Sequence, residues 1–449
     1  MRKSVLIVCS MLLTFSLVFW GIGCKETAQD DSESTEEENV SVEEEASEGV
    51  SAESEEPVEL TWIEWWEAEI GADLLDEMEA KFIEEHPNVT IKRDDLPWEQ
   101  MYDKLFTLAQ SGSLPDVMGV ENDWASNLAS MGATEPFDPY LESKGISDDQ
   151  FVTNISRVND KVYWLPIYSL CMFNVVNKDI FEAKGIEYPE TWDEYLDAAR
   201  ELTDPGAGVY ATAYDGEVNS YFQYFYFYPA LLQAGGKFLD EEGKLAYNSE
   251  AGVKAMEFLG TLYKEDLVLP GTFSNTEKDK RTAFQSGSIA MYNDCTPGLV
   301  VLQQADLGFE FDFVKLPAGP VNRATFISSS SLAMAANSEH KDLAWEFVEF
   351  LTMGEGNKMW VESSQQTYAY KPNLETADYL EENKWLKVAS EAMLEPGSES
   401  GETIEGSSTM TRMWTIEFQK YLNGEKTAKQ ALDDAVAAYY DALEKGEAE

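Results

Sequence analysis

Hydrophobic and polar positions divide the chain into three regimes. Ser4 to Gly23 carries no charge and is largely apolar, residues 25 to 58 are mostly Glu, Asp, Ser and Ala, and from Glu59 onward short apolar runs alternate with amphipathic stretches. That last alternation predicts an α/β body with mostly parallel strands. "VELTWIEWW" (58–66), "VTIKRDD" (89–95) and "PDVMGV" (115–120) are its first three predicted strands. Between them lie helices over Ala72–His86, closed by Pro87, and over 99–112, stopped at Gly112. Further along, Thr191 and Ser249 are expected to cap helices, "SIAMYN", "FEFDFVKLP" and "SSSLAMAAN" to be strands, and 340–354 to be a helix. Two closing helices run over 411–424 and, capped by Thr427, over 427–446.

The first regime follows Met1, Arg2 and Lys3, the basic start of a secretory signal. Gly21, Gly23 and Cys24 resemble the lipobox of bacterial lipoproteins, with Gly21 where that motif prefers leucine. Residues 1–23 are then a cleaved signal, and Cys24 carries lipid. A retained anchor is the alternative, since about 20 apolar residues span a bilayer. In both cases the body faces the outside of the cell membrane. Residues 24–58 bury too little apolar surface to offset chain entropy and are expected to be an acidic tether.

The chain has 449 residues and a formal charge of −52, which becomes −54 once Arg2 and Lys3 leave with the signal. Such a field opposes nucleic acid and anionic membrane surfaces as partners. Cysteine adds little chemistry: beyond Cys9 and Cys24, only Cys171 and Cys295 belong to the body, both in apolar settings where buried thiols or a disulfide are the two readings. Two histidines, His86 and His340, leave almost no material for a zinc site or a histidine-based triad. No cofactor or metal is expected.

The order of "PDV", "LPIYSLCMFNVVNKDIFEAKGIEYPETWDEYLDAARELT", "LLQAGGKF", "AFQSGSIAMYND", "VKLPAG", "SSSSLAMAANSEHKDLAWEFVEFLT" and a closing helical pair resembles the extracytoplasmic solute-binding proteins of ABC importers, in the branch that includes the maltose-binding protein. The resemblance covers essentially everything after residue 58. It implies a periplasmic-binding-protein-like fold: two α/β lobes, 59–170 with 317–368 and 171–316 with 369–449, joined by crossing strands around a ligand cleft. Crossings are implied near Tyr168–Met172, Val314–Pro317 and Thr367–Lys371.

In an open α/β sheet the ligand settles outside the carboxyl ends of the strands. Those loops carry Glu64, Trp65 and Trp66, then Trp98, then Asp123 and Trp124. Such residues suit a sugar, whose C–H face an indole can cover while polar groups bind the hydroxyl rim. The resemblance further implies ligand contact at Tyr168, Ser169, Gln223, Tyr224, Phe225, Tyr228, Asn293, Asp294, Arg412 and Trp414. Ser169 and Leu170 stand where some relatives carry a carboxylate, and Thr296 where many carry tryptophan. Ser328 to Ser331 either offer hydroxyls or amides to the ligand or line the turn into a strand, the second being the preferred reading. Trp62, Trp192, Trp345, Trp360 and Trp385 are expected in the core or on helix surfaces.

These readings combine into a lipid-anchored, monomeric carbohydrate-binding protein that closes on its ligand and delivers it to an ABC permease without making or breaking bonds. One rival keeps the fold and binds a peptide, polyamine or other cation through Glu64, Glu67, Glu121, Asp123 and Asp294. A second is a surface glycosidase working with two carboxylates.

Overall fold

A computed structural model describes residues 56–152, 155–218, 220, 222–376, 383–401, 404 and 406–447, together with the backbone but not the side chains of Glu99 and Asp123. The signal, Cys24 and nearly all of the tether lie outside that set. No helix among the described residues is long and apolar enough to cross a membrane.

The strands are β1 (Val58–Glu64), β2 (Val89–Asp95), β3 (Val117–Val120), β4 (Trp164–Cys171), β5 (Phe173–Asn177), β6 (Met291–Asp294), β7 (Phe311–Val314), β8 (Phe326–Met334), β9 (Thr367–Tyr368) and β10 (Glu399–Ser400). They form two sheets. The larger runs β2-β1-β3-β8-β4-β9, with β10 also paired to β8; the smaller runs β6-β5-β7. β1 is parallel to both β2 and β3, whereas β8 is antiparallel to β3 and β4. Registers Val120↔Ser331 and Tyr168↔Ser330 bring the amino half of β8 to the edge where β1, β2 and β3 end. A single residue, Met172, separates β4 in one sheet from β5 in the other.

Local chemistry explains the helices. Thr191, Ser249 and Thr427 accept hydrogen bonds from the backbone N–H groups of Glu194, Gly252 and Gln430, each satisfying a donor that the helix start leaves open. Gly112 closes helix Trp98–Ser111 at φ 65°, a left-handed conformation that costs glycine least.

Three apolar cores follow the sheets. The first joins Leu60, Ile63, Val117 and Met118 to Leu75 and Phe82 of helix Ala72–Glu85 and to Phe347 and Trp360. The second gathers Phe181, Tyr195, Met256, Leu259, Trp414, Phe418 and Tyr439 from the helices flanking the smaller sheet. The third holds Cys171, Phe173, Tyr292, Phe313, Ile327 and Met393. Cys171 and Cys295 are free thiols, each buried; Cys171 Sγ donates to the Ala389 carbonyl at 3.4 Å. Of the two cysteine readings, the unpaired one therefore holds.

Candidate functional site at the end of the parallel strands

β1 lies between β2 and β3, so the chain leaves β1 to one side for β2 and then returns past it to β3. Such a switch at the strands' carboxyl ends is the usual ligand position in these sheets, and here aromatic rings gather on the segments that follow β1, β2 and β3. Trp65 and Trp66 have ring centroids 4.0 Å apart, Trp65 lies 5.7 Å from Trp124, and Trp124 lies 5.4 Å from Trp98 and 6.1 Å from Tyr102. Gly119 of β3 is the seat: a Cβ there would stand 2.8 Å from ring atoms of both Trp65 and Trp66, so only glycine lets the indoles lie against the strand.

A polar thread runs beside the rings. Trp66 Nε1 donates to the Tyr168 hydroxyl (3.3 Å), which donates to Ser330 Oγ (3.1 Å), which donates to Glu121 Oε1 (3.2 Å); Trp98 Nε1 also points to Glu121 Oε1, at 3.4 Å. Burial holds the Tyr168 phenol well above its usual pKa, so it remains a neutral donor. Trp164 Nε1 donates to Asn122 Oδ1 at 2.9 Å, and these two residues with Ser329, Ser331 and Ser400 line a shallow hollow. The buried hydroxyls of Ser169 and Ser331 have no hydrogen-bond partner in the protein. Glu69, on the short helix Glu67–Ile70, is exposed, and its carboxylate adds to the rise in the Tyr168 phenol.

Several expected contacts are elsewhere. Glu64 turns inward: one oxygen accepts from the backbone N–H groups of Trp66 and Glu67, and the other faces Arg93 Nε at 3.6 Å. Glu64, Glu67 and Asp95 bring oxygens within 4.8 Å of one another, and Arg93 already answers that charge. Trp65, Trp66 and Trp124 keep their place in the cluster but are only 3, 0 and 6 % exposed, so their faces are covered by one another and by the core. Trp98, at 37 %, is the tryptophan of this cluster that solvent reaches most. Trp414 departs furthest. Met410, Trp414, Phe418 and Tyr421 recur on one face of helix Ser407–Leu422, and the Trp414 ring packs 4.6 Å from Phe227 and 4.8 Å from Phe418 in the second core. Arg412, two positions away, is exposed on another face.

The aromatic run also points mostly inward. Gln223–Phe227 forms a π-helical turn leading into Tyr228–Gln233. Gln223 Nε2 is committed to the Thr411 carbonyl and Thr415 Oγ1, at 2.8 and 2.7 Å. Phe225 lies 3.7 Å under the Lys280 ammonium, and Tyr228 is buried against Phe238 and Phe326. Tyr224 is half-buried, edge-on to Phe326 of β8. Asn293 donates to the Phe225 carbonyl at 2.8 Å. Asp294 is wholly occupied: Arg281 grips both oxygens at 2.9 and 2.7 Å, with Tyr292 OH at 2.8 Å. Burial alone would raise that carboxyl, but the guanidinium brings it below its ordinary value. Asp123 lies in helix Asn122–Ser130, its side chain outside the described set. Ser328–Ser331, expected at a turn, belong to β8 itself, and Ser330 completes the polar thread. Sequence reasoning missed Glu69 and Tyr102 as site residues. Tyr102 alone left a signal, one helical turn after Trp98.

Comparison with known proteins now adds to this geometry. The sequence profile described as bacterial extracellular solute-binding protein matches residues 63–358. A binding protein of Brucella abortus is 26% identical over 83% of this chain and 90% of its own length. The arabinooligosaccharide-binding protein of Halalkalibacterium halodurans is 24% identical over 66% of this chain and 68% of its own. The crystal structure of the cyclic α-maltosyl-1,6-maltose binding protein from Arthrobacter globiformis superposes with a TM-score of 0.74 at 22% identity, covering 87% of this chain and all of that one.

Proposed function

The chain belongs to the bacterial extracellular solute-binding protein family, and from that premise we propose that it captures a carbohydrate at the carboxyl edge of β1, β2 and β3 and presents it to an ABC permease. The observation that carries the sugar reading is Trp98, the open ring of the tryptophan cluster at the strand switch, edged by Glu121 and by unpartnered serine hydroxyls. Rings cover C–H faces, and the polar edge pairs hydroxyls that would each cost about 1–3 kcal/mol if buried unpaired. Relatives named for arabinooligosaccharide and cyclic maltosyl-maltose support the same ligand class.

The protein acts as a monomer anchored through lipid on Cys24, and no bond in the ligand is broken. Its lobes comprise 59–170 with 317–368 and 171–316 with 369–449; closing them around solute shifts the population toward a shape that the permease reads. One second reading is favoured by the carboxylates Glu69 and Glu121 at the edge: a cation-bearing solute such as a polyamine.

A thermal-shift screen of the full-length protein against mono- and oligosaccharides, peptides and polyamines separates the two. A ligand at a hundredfold excess over Kd stabilises by about 2.7 kcal/mol. Stabilisation by saccharides supports the proposal; stabilisation by polyamines alone overturns it.

A further inference from the structure

We propose that Glu69 and Glu121 make the strand edge select its ligand by charge: it admits neutral and amine-bearing glycans and rejects those that carry uronate, sulfate or phosphate groups. This rests on the carbohydrate reading above and adds the charge of the sugar to it. The segments that close and follow β1, β2 and β3 are "EWWEAEI" (64–70), "DDLPWE" (94–99) and "ENDW" (121–124), rich in carboxylates and without a lysine or arginine. Arg93, just before the second segment, is committed to Glu79 and Asp76 of helix Ala72–Glu85, at 2.7 Å each. Glu69 is exposed and has no lysine or arginine partner among the described residues. An anionic group arriving here therefore finds charge of its own sign and no cation to balance it.

The hydrogen-bonding inventory points the same way. Trp66 Nε1 goes to Tyr168, the Tyr168 hydroxyl to Ser330, Trp98 Nε1 and Ser330 Oγ to Glu121, and Trp164 Nε1 to Asn122, so these donors are already engaged. Serine hydroxyls remain. Ser331, paired in register with Val120 one residue before Glu121, is wholly buried, and its Oγ has no partner in the protein. A sugar hydroxyl both donates and accepts, so it pairs with carboxylate and serine alike, whereas a uronate only accepts. Glu121 also occupies the cap position of helix Asn122–Ser130, so the positive end of that helix, which would otherwise draw an anion, already has one. Both carboxylates act on one atom group: Glu69 and Glu121 each add to the raised pKa of the Tyr168 phenol. Like charges set so close to a binding edge give specificity by repulsion.

The test titrates the full-length protein calorimetrically with maltotriose, cellotriose, arabinotriose and galactotriose, with the chitosan trimer, and with the trimers of galacturonate and glucuronate. The wild type should bind its best neutral or amine-bearing trimer at least about tenfold more tightly than either uronate trimer. Raising the salt from about 20 mM to about 0.5 M should narrow that ratio, because screening weakens repulsion and leaves shape unchanged. Glu69→Gln and Glu121→Gln, which keep the side-chain volume, should each narrow it, and the double variant should narrow it about tenfold, about 1.4 kcal/mol. A uronate trimer bound as tightly as the best neutral one, or a ratio that the double variant leaves intact, overturns the charge selection and leaves the carbohydrate reading standing. A wild type that binds none of these sugars overturns both.

Discussion

The Lys280 ammonium stands 3.3 Å from Asp215 Oδ1 with both side chains wholly buried, and it also lies 3.7 Å over the Phe225 ring. The second Asp215 oxygen has no hydrogen-bond partner in the protein. A pair so enclosed is more costly to break than to replace, because the survivor keeps an uncompensated charge. Lys280→Met should lower stability in urea denaturation by about 3–5 kcal/mol, and Lys280→Met combined with Asp215→Leu should recover most of the loss. Equal losses in the single and double variants would count against this account.

Glu64 makes stability depend on pH. Burial is the main cause that raises its carboxyl from 4.5 to about 7, with Asp95 adding to the rise, while the Trp66 N–H and Arg93 oppose it. A raised folded-state pKa means that the native protein holds the proton more tightly than the unfolded chain does. The associated stability is complete below about pH 4.5 and is lost as pH climbs through about 7, on the order of 3 kcal/mol for this wholly buried group. Glu64→Gln should therefore flatten the fall in unfolding free energy between pH 5 and pH 8 relative to the wild type. Parallel pH curves for the two proteins would contradict the assignment.

Trp124 and Trp414 separate binding from folding. Trp124 backs the exposed rings, so Trp124→Ala should weaken saccharide binding at least tenfold, read by calorimetry. Trp414 fills the second core, so Trp414→Ala should cost about 3–5 kcal/mol of stability. Trp414→Phe should keep saccharide affinity within about twofold of the wild type, since it changes core volume and no binding surface.

The lipid proposed on Cys24 predicts labelling. Cells given radioactive palmitate should label the wild type and leave Cys24→Ser unlabelled, with the variant shifting from the membrane pellet to the supernatant. Label on the variant would point to a different anchor.

Much of the architecture was legible because it rests on local periodicity. The predicted strands 58–66, 89–95 and 115–120 contain the observed β1, β2 and β3, and Thr191, Ser249 and Thr427 cap where expected. The site was legible only as a neighbourhood. Which way Trp65 and Trp66 face depends on Gly119, a vacancy on another strand that no local pattern announces. Glu64 depends likewise on Arg93 of β2. Trp414 is a different lesson: the Met410, Trp414, Phe418 spacing is itself a core stripe, and family position outweighed it. The serine run hid only the start of the central strand: "SSSLAMAAN" covers its second half, while β8 begins at Phe326, ahead of four hydroxyl side chains that mask the apolar alternation of a half-buried β-strand.

β8 belongs to every core at once. Phe326 packs in the second, Ile327 in the third, and Leu332, Ala333 and Met334 in the first, while its backbone is hydrogen-bonded to β3, β4 and β10. No part of the body can melt away from this strand without stripping it from the rest. Heating should therefore produce one calorimetric peak, its van't Hoff and measured enthalpies in agreement, even though the chain folds around two separate sheets.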